Sequence, residues 1–334
     1  MIIVIGASGF IGTYLVDDLI NNGYEVFATG RNPVIMEHYK NNNIAYCDLD
    51  LADSSSFDQL PVEGIEAVVL LAAHLPANVN KYNPYDYIDI NITGTLNVLE
   101  FCRKNGIKKV ISTTSYSDVS NHWIKDKPID ADIYRDYSLK GDHAVYAISK
   151  NAATDLILHY NIDYGFQGSI FRLPPVYGYG PHSEIYVDEK YYKSGFQIFL
   201  EKAVAGEPIE IFGDKNVSRD VVYVKDVVSA FIGAIQSDNS KGVYNITSGI
   251  AATLEEQVKD IIEVFSEGYI RSEIVYSPEK ANSGKSYVFD ISKGNRDFGY
   301  QPRFVPFKNL LLDYKKEMDS KRFEYIVSSR KKVK

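Results

Sequence analysis

Tyr146 and Lys150 stand four residues apart in the run Tyr146-Ala147-Ile148-Ser149-Lys150. On a helix that spacing puts a phenol and an ammonium on one face. A cation beside a phenol favours the phenolate and lowers its pKa towards working pH, which suits acid/base work on an alcohol–ketone interconversion. The spacing alone also describes an ordinary surface pair, so other groups must converge on it. Ser112-Thr113-Thr114-Ser115 follows a predicted strand, and hydroxyls at the C-terminal end of a parallel strand point into the crevice where ligands bind. A second constellation opens the chain: Gly6-Ala7-Ser8-Gly9-Phe10-Ile11-Gly12 lies directly behind Ile2-Ile3-Val4-Ile5. A buried strand, a glycine turn and a helix start offer free N–H groups to a pyrophosphate. Its G-x-x-G-x-x-G spelling differs from the usual G-x-G-x-x-G, and glycines here also serve packing alone.

The elements that must position these groups alternate through the first half. Strands are expected over 2–5, 25–28, 44–46, 67–71, 109–112 and 168–171, and helices over 10–21, 85–104 and 143–160. Strands separated by helices of this length imply right-handed crossovers and a parallel sheet. After Pro174 the pattern changes: Pro174, Pro175, Gly178, Gly180 and Pro181 mark a turn-rich loop, and shorter, more irregular segments follow. Short strands are expected at 209–212 and 243–246. Thr253 with Glu256 reads as a capping box for a helix through 265. The Arg330-Lys331-Lys332-Val333-Lys334 run reads as a solvated terminus.

Composition narrows the function. The 334 residues suffice for a nucleotide domain plus a smaller lobe. A net charge of −8 argues against a nucleic-acid surface, and no apolar stretch approaches the ~20 residues of a membrane span. Two cysteines, Cys47 and Cys102, are too few for a disulfide framework. A cytoplasmic enzyme is expected. The 26 tyrosines point to surfaces offering both ring faces and hydroxyls.

With these motifs in one order the chain resembles the extended short-chain dehydrogenases/reductases that modify nucleotide sugars. The likeness also rests on Cys47-Asp48-Leu49, Leu71-Ala72-Ala73, the 91–100 stretch from Asn91 to Glu100, Phe171-Arg172-Leu173 with Val176-Tyr177-Gly178, Ile211-Phe212-Gly213-Asp214 with Arg219-Asp220, and Asp290-Ile291-Ser292-Lys293. The resemblance implies an α/β fold: a Rossmann-type doubly wound parallel sheet with a smaller C-terminal α/β substrate lobe. It divides the chain into a cofactor domain over 1–173, a lobe over 174–325 interleaved with the sheet around 215–250, and a basic tail over 326–334. Gly6, Ser8, Gly9 and Gly12, with the Phe10 and Ile11 backbone, would hold the pyrophosphate. Asp48 and Leu49 would contact adenine, and Leu71, Ala72 and Ala73 would line the ribose and nicotinamide path. Asn91 would support the site from the long helix. Tyr146 would be the acid/base, Lys150 would also bind the nicotinamide ribose, and Thr113 would hold the reacting sugar oxygen. Arg219 would pair with the sugar-nucleotide diphosphate; its other reading is a surface arginine paired with Asp220. A homodimer built from the 85–104 and 143–160 helices is implied as well.

Three departures shape the expected activity. Ala28-Thr29-Gly30-Arg31-Asn32 lacks the acid that binds a ribose 2′-hydroxyl, and Arg31 suits a 2′-phosphate, so NADP is favoured with NAD still possible. Thr114 and Ser115 replace the Asp-Glu pair of the dehydratases, which argues against elimination of water and leaves both as candidate substrate contacts. Pro175 replaces an asparagine, and Tyr116-Ser117-Asp118 alters the following loop, which weighs against a standard epimerase. His74 faces substrate or nicotinamide, or is a bystander; Trp123 caps the sugar or packs locally. The expectation is a hydride-transfer enzyme acting at a carbon, typically C4, of a nucleotide-linked sugar, tilted towards a 4-keto-sugar reductase. The alternative is a 4-epimerase holding NAD tightly. Behind these stand a reductase of small apolar ketones and a non-catalytic NADP-binding regulator.

Overall fold

β1 (Ile2–Ile5) is apolar throughout and almost wholly removed from solvent, no residue exceeding 1% exposure. Such a run needs cover on both faces of a sheet. Ile2 and Val4 point into one core cluster, Ile3 and Ile5 into another. The computed structural model describes residues 1–76, 82–124, 127–141, 144–181, 184–187, 190–266, 271–282 and 284–331.

β1 lies between β2 (Val26–Gly30) and β4 (Ala67–Leu70). The other strands are β3 (Ala45–Asp48), β5 (Lys109–Ser115), β6 (Gln167–Leu173) and β7 (Gly242–Asn245). All pair in parallel, in the order β7-β6-β5-β4-β1-β2-β3. This is the expected Rossmann-type doubly wound sheet. β1 passes through the glycine turn into α1 (Phe10–Asn21), and β2 leads into α2 (Pro33–Asn41). On the other face lie α3, which runs as Pro84–Asp86, a π-helical Tyr87–Thr93 and Gly94–Lys104, and α4 (Ala144–Asp163). His143, the expected first residue of α4, lies outside the described residues. β5 extends three residues past the expected 112 because Thr113, Thr114 and Ser115 pair with Phe171, Arg172 and Leu173 of β6. The candidate hydroxyls therefore sit on strand backbone rather than in a loose loop.

The second half is more regular than expected. It carries α5 (Gly195–Ala205), α6 (Val224–Gln236), α7 (Leu254–Phe265) and α8 (Phe307–Ser320), of 11, 13, 12 and 14 residues. The Thr253–Glu256 capping box is present at the start of α7. β7 comes from this half yet adds to β6 as the sheet edge. The tail expected from 326 is different: Glu324–Lys331 forms α9, with Ile326 only 2% exposed. Residues 332–334 lie outside the described residues. No helix among the described residues is long and apolar enough to cross a membrane.

One buried ion pair anchors β6 to the segment after β5, and its arginine reaches the second half through Asn245. Arg172 on β6 and Asp118 just past β5 are 1% and 2% exposed, with Nε donating to the carboxylate at 2.8 Å. Arg172 also donates to Asn245 Oδ1 on β7 and to the Ala131 carbonyl. Burial pushes the Asp118 carboxyl up, and Arg172 pulls it back. Such a pair contributes little net stability but is costly to break. Asp118→Ala leaves a buried guanidinium unpaired and is expected to lose about 3–5 kcal/mol in urea unfolding; a loss below about 1 kcal/mol would show that the pair does not anchor β6.

Candidate active site

Two glycines set the geometry at the end of β1. Gly6 has φ of +91°, and a Cβ there would lie 2.5 Å from the Ala72 nitrogen. A Cβ on Gly12 would lie 2.3 Å from the Gly6 carbonyl oxygen. Neither position tolerates a side chain, so the turn packs directly on the Leu71-Ala72 backbone after β4. α1 then starts at Gly9 with no side-chain cap and no acid in its first turn. The first turn of a helix offers N–H groups to an anion. α2, by contrast, is capped by Asn32, whose Oδ1 accepts from Val34 and Ile35 N–H at 3.1 and 3.4 Å.

These turns border a cavity of about 1120 Å³ across the C-terminal ends of β1, β2, β4, β5 and β6. Of the residues singled out in the sequence, Gly6, Ser8, Gly9, Phe10, Ile11 and Gly12 line one end, with Arg31, Asn32 and Leu49. Leu71, Ala72, Ala73, His74, Thr113, Thr114, Ser115, Tyr146 and Lys150 line the remainder. Three fall elsewhere. Asp48 is exposed and outside the lining, its carbonyl accepting from Gln59 at 2.8 Å. Asp50 and Leu51 line the wall beside Leu49 instead. Asn91 is buried behind the wall, and Arg219 is exposed on the second half.

Asn91 shows how α4 is placed. Its Oδ1 accepts from the His74 N–H at 2.7 Å; its Nδ2 donates to the His74 carbonyl at 3.1 Å and to Ser149 Oγ at 2.9 Å. Ser149 in turn donates to the Tyr146 carbonyl at 2.9 Å. One amide thus joins the loop after β4 to α4 beside Tyr146 and Lys150. It sits in the π-helical part of α3, a departure from α-geometry that often marks functional positions.

The electrostatics differ from the simple expectation for a Tyr–Lys pair. Burial pushes the Tyr146 phenol well above its ordinary value, and the Ser115 hydroxyl facing it pulls the other way. Burial also drives the Lys150 ammonium down to about 8. No carboxylate pairs with Lys150 among the described residues. Desolvation outweighs mutual help here because a low-dielectric site penalises both charges. Thr114 Oγ1 is buried without a partner in the cavity wall. His74 sits edge-on to Tyr87 at 4.5 Å, with Nε2 3.9 Å from Asp86. Burial lowers its pKa, Asp86 opposing.

Beyond Tyr116 the second half contributes an aromatic wall. Trp123 stacks on Tyr116 at 5.0 Å and lies 4.8 Å from Tyr287, so it backs the wall through packing. Arg219 faces Tyr116, Tyr177 and Tyr287, its charge favouring their phenolates, and its guanidinium rests on Gly284, where a Cβ would lie 2.4 Å from Nη2. The Arg219–Asp220 pair does not form. Successive strand residues point to opposite faces, and Asp220 is fully buried, accepting from Ser248 and Phe289. Burial raises its carboxyl to about 6.

Comparison with known proteins follows the same lines. The NAD dependent epimerase/dehydratase family matches residues 2–247. A putative UDP-glucose 4-epimerase of Methanocaldococcus jannaschii is 30% identical, the match covering 90% of this chain and 93% of that protein. The UDP-glucose 4-epimerase of Thermotoga maritima, solved with UDP-glucose, is 26% identical with a TM-score of 0.75, over 96% of this chain and 98% of that one. RMD of Pseudomonas aeruginosa, solved with NADPH, shares the fold at 21% identity and a TM-score of 0.71, over 96% and 99% of the two chains. With the glycine turn, the Tyr–Lys helix and the hydroxyl-bearing strand end around one cavity, the chain belongs to the NAD dependent epimerase/dehydratase family.

Proposed function

We propose that the protein is a nucleotide-sugar 4-epimerase that keeps its NAD bound through the cycle. The observation that carries this is the convergence of Thr113, Ser115, Tyr146 and Lys150 on the cavity that begins at the uncapped glycine turn. Relatives matched over most of their length support the epimerase reading over the 4-keto-sugar reductase to which the missing acid after β2 tilts. NADP likewise gains no preference. Arg31 is an exposed rim residue, the matched family is NAD dependent, and one fold neighbour carries NADPH.

The residues fit a dinucleotide. The cradle that a Cβ at Gly6 or Gly12 would fill, with Ser8, Gly9 and the N–H groups of Phe10 and Ile11, would hold the pyrophosphate. Leu49, with Asp50 and Leu51, would flank the adenine, and Leu71, Ala72 and Ala73 the nicotinamide half. When bound, the nicotinamide supplies a reversible hydride acceptor. Lys150 would hold its ribose. Tyr146 takes the proton of the sugar hydroxyl as the carbon gives up its hydride, and returns it when the hydride comes back to the other face. Thr113 holds the same oxygen, and the orphaned Thr114 hydroxyl offers the sugar a further hydrogen bond. Ser115 favours the phenolate form of Tyr146. Residues 174–325 would form the substrate lobe, with Arg219 forking onto the diphosphate.

Exposed apolar residues on α3 and α4, Tyr85, Ile88, Leu96 and Ile148, support a homodimer through these helices. Light scattering is expected to give twice the chain mass, and Leu96→Glu to reduce it; a wild-type monomer contradicts this arrangement.

The reading is tested by purifying the protein without added cofactor, denaturing it and identifying released dinucleotide by mass spectrometry. Near-stoichiometric NAD is expected. A protein that emerges empty and binds NADPH far better than NADH returns the assignment to a reductase. Lys150 gives a second test. Its depressed pKa means the unfolded chain holds the extra proton between pH 8 and 10.5, so stability rises across that window. Below pH 8 the buried ammonium costs about 3 kcal/mol. Lys150→Met is expected to abolish activity, raise Tm at pH 7 and remove the rise above pH 8; an unchanged pH profile of stability would show that Lys150 is not buried as a charge.

A further inference from the structure

The segment over 322–331 lies outside the matched 2–247. It meets three elements around the glycine turn. Arg322 pairs with Asp17 on α1. Phe323, 2% exposed, stacks on Tyr14 of α1 with ring centroids 3.9 Å apart and planes 27° from parallel. Glu324 accepts from the Tyr179 hydroxyl. Tyr325 stacks on His38 of α2 at 3.8 Å and 14°.

Three of these contacts continue towards the cradle. Tyr39, next to His38, donates from its hydroxyl to the Ala7 carbonyl inside the glycine turn at 2.8 Å. The Tyr14 hydroxyl donates to the Tyr179 carbonyl at 2.8 Å. The flanking Gly180 packs so closely on Phe10 that a Cβ there would lie 2.6 Å from the ring. The three supports, α1, α2 and the 178–180 loop, come from distant parts of the chain. The 322–331 segment bonds or stacks on all of them at once.

We propose that residues 322–331 form a clasp that sets how long the dinucleotide stays bound, by holding α1, α2 and the 178–180 loop as one unit around the glycine turn. The proposal rests on the reading of the cavity as a dinucleotide site. A bound dinucleotide leaves only when this rim opens, so an enzyme that returns hydride to its own substrate gains from a closed rim, whereas one that exchanges cofactor each turnover does not. The clasp reaches the turn through α2 and α1 rather than through contact with the ligand, so it acts on dissociation and leaves the hydride and proton steps alone.

The test compares wild type with Tyr325→Ala and with the double variant Arg322→Ala/Glu324→Gln, which removes only exposed pairs and leaves buried Phe323 and Ile326 in place. Each protein is loaded with NADH, chased with excess NAD, and followed by loss of bound-NADH fluorescence, with near-ultraviolet circular dichroism recorded at the same temperature. Both variants are expected to release NADH at least tenfold faster than wild type with an unchanged spectrum, and to match its kcat when NAD is saturating. Tyr164→Ala, on the far side of the sheet, is expected to release at the wild-type rate. Release within twofold of wild type in both variants overturns the clasp, as does faster release accompanied by loss of the folded spectrum. A wild type that binds no NADH overturns the dinucleotide reading itself, a result distinct from either.

Discussion

Everything at the site depends on how closely the backbone at Gly6 and Gly12 approaches its neighbours. With a Cβ at either position only 2.3–2.5 Å from backbone atoms, no other residue type lets β1 turn into α1 at this point. The consequence is threefold. α1 begins without a side-chain cap, its N-terminus lining the cavity. The loop after β4 is drawn against the turn, which fixes Leu71, Ala72 and Ala73 along the wall. The outer surface of the turn becomes the place where α2 and the 178–180 loop close in, through Tyr39 and Gly180.

Asn91 is the counterpart of that turn on the catalytic side. A buried side-chain amide that spends both its polar atoms on the His74 backbone and Ser149 leaves no freedom for the loop after β4 to move relative to α4. Losing it would strand several buried polar groups, which is costly. The site is thus assembled from two rigid joints, with strand pairing of Thr113–Ser115 to β6 as the third support. Rigid supports of this kind are what positional catalysis requires. The depressed Lys150 and raised Tyr146 show the cost of that burial.

Much of this was legible in the sequence because it rests on local constraints. The apolar run before three glycines, the hydroxyl run at the strand end and the four-residue Tyr–Lys spacing each follow from short-range geometry. The misreadings have physical reasons too. Asp48-Leu49-Asp50-Leu51 repeats an acid–leucine pair, and only the fold decides that the second pair joins Leu49 in the wall. Of the two readings of Arg219, the fold removes the ion pair with Asp220, because strand alternation sends the two side chains to opposite faces. The helices after Pro174 carried a readable signal: Val224, Val227, Val228, Phe231, Ala234 and Ile235 have helical spacing and are all buried. Charge dominates the last residues of the chain, and Phe323 and Ile326 just before them carry packing that charge conceals. Roles that need a partner from afar, Asp118 against Arg172 above all, left no trace in spacing.

The central claim is that one cavity removes hydride from a sugar carbon and returns it to the same carbon without release of the dinucleotide. Its most direct test uses a UDP-hexose carrying deuterium at C4, offered to the purified protein with no added cofactor, with the product analysed by NMR. The account predicts the C4 epimer with deuterium retained at C4. Loss of the label from C4, or turnover only when reduced dinucleotide is added, would contradict it.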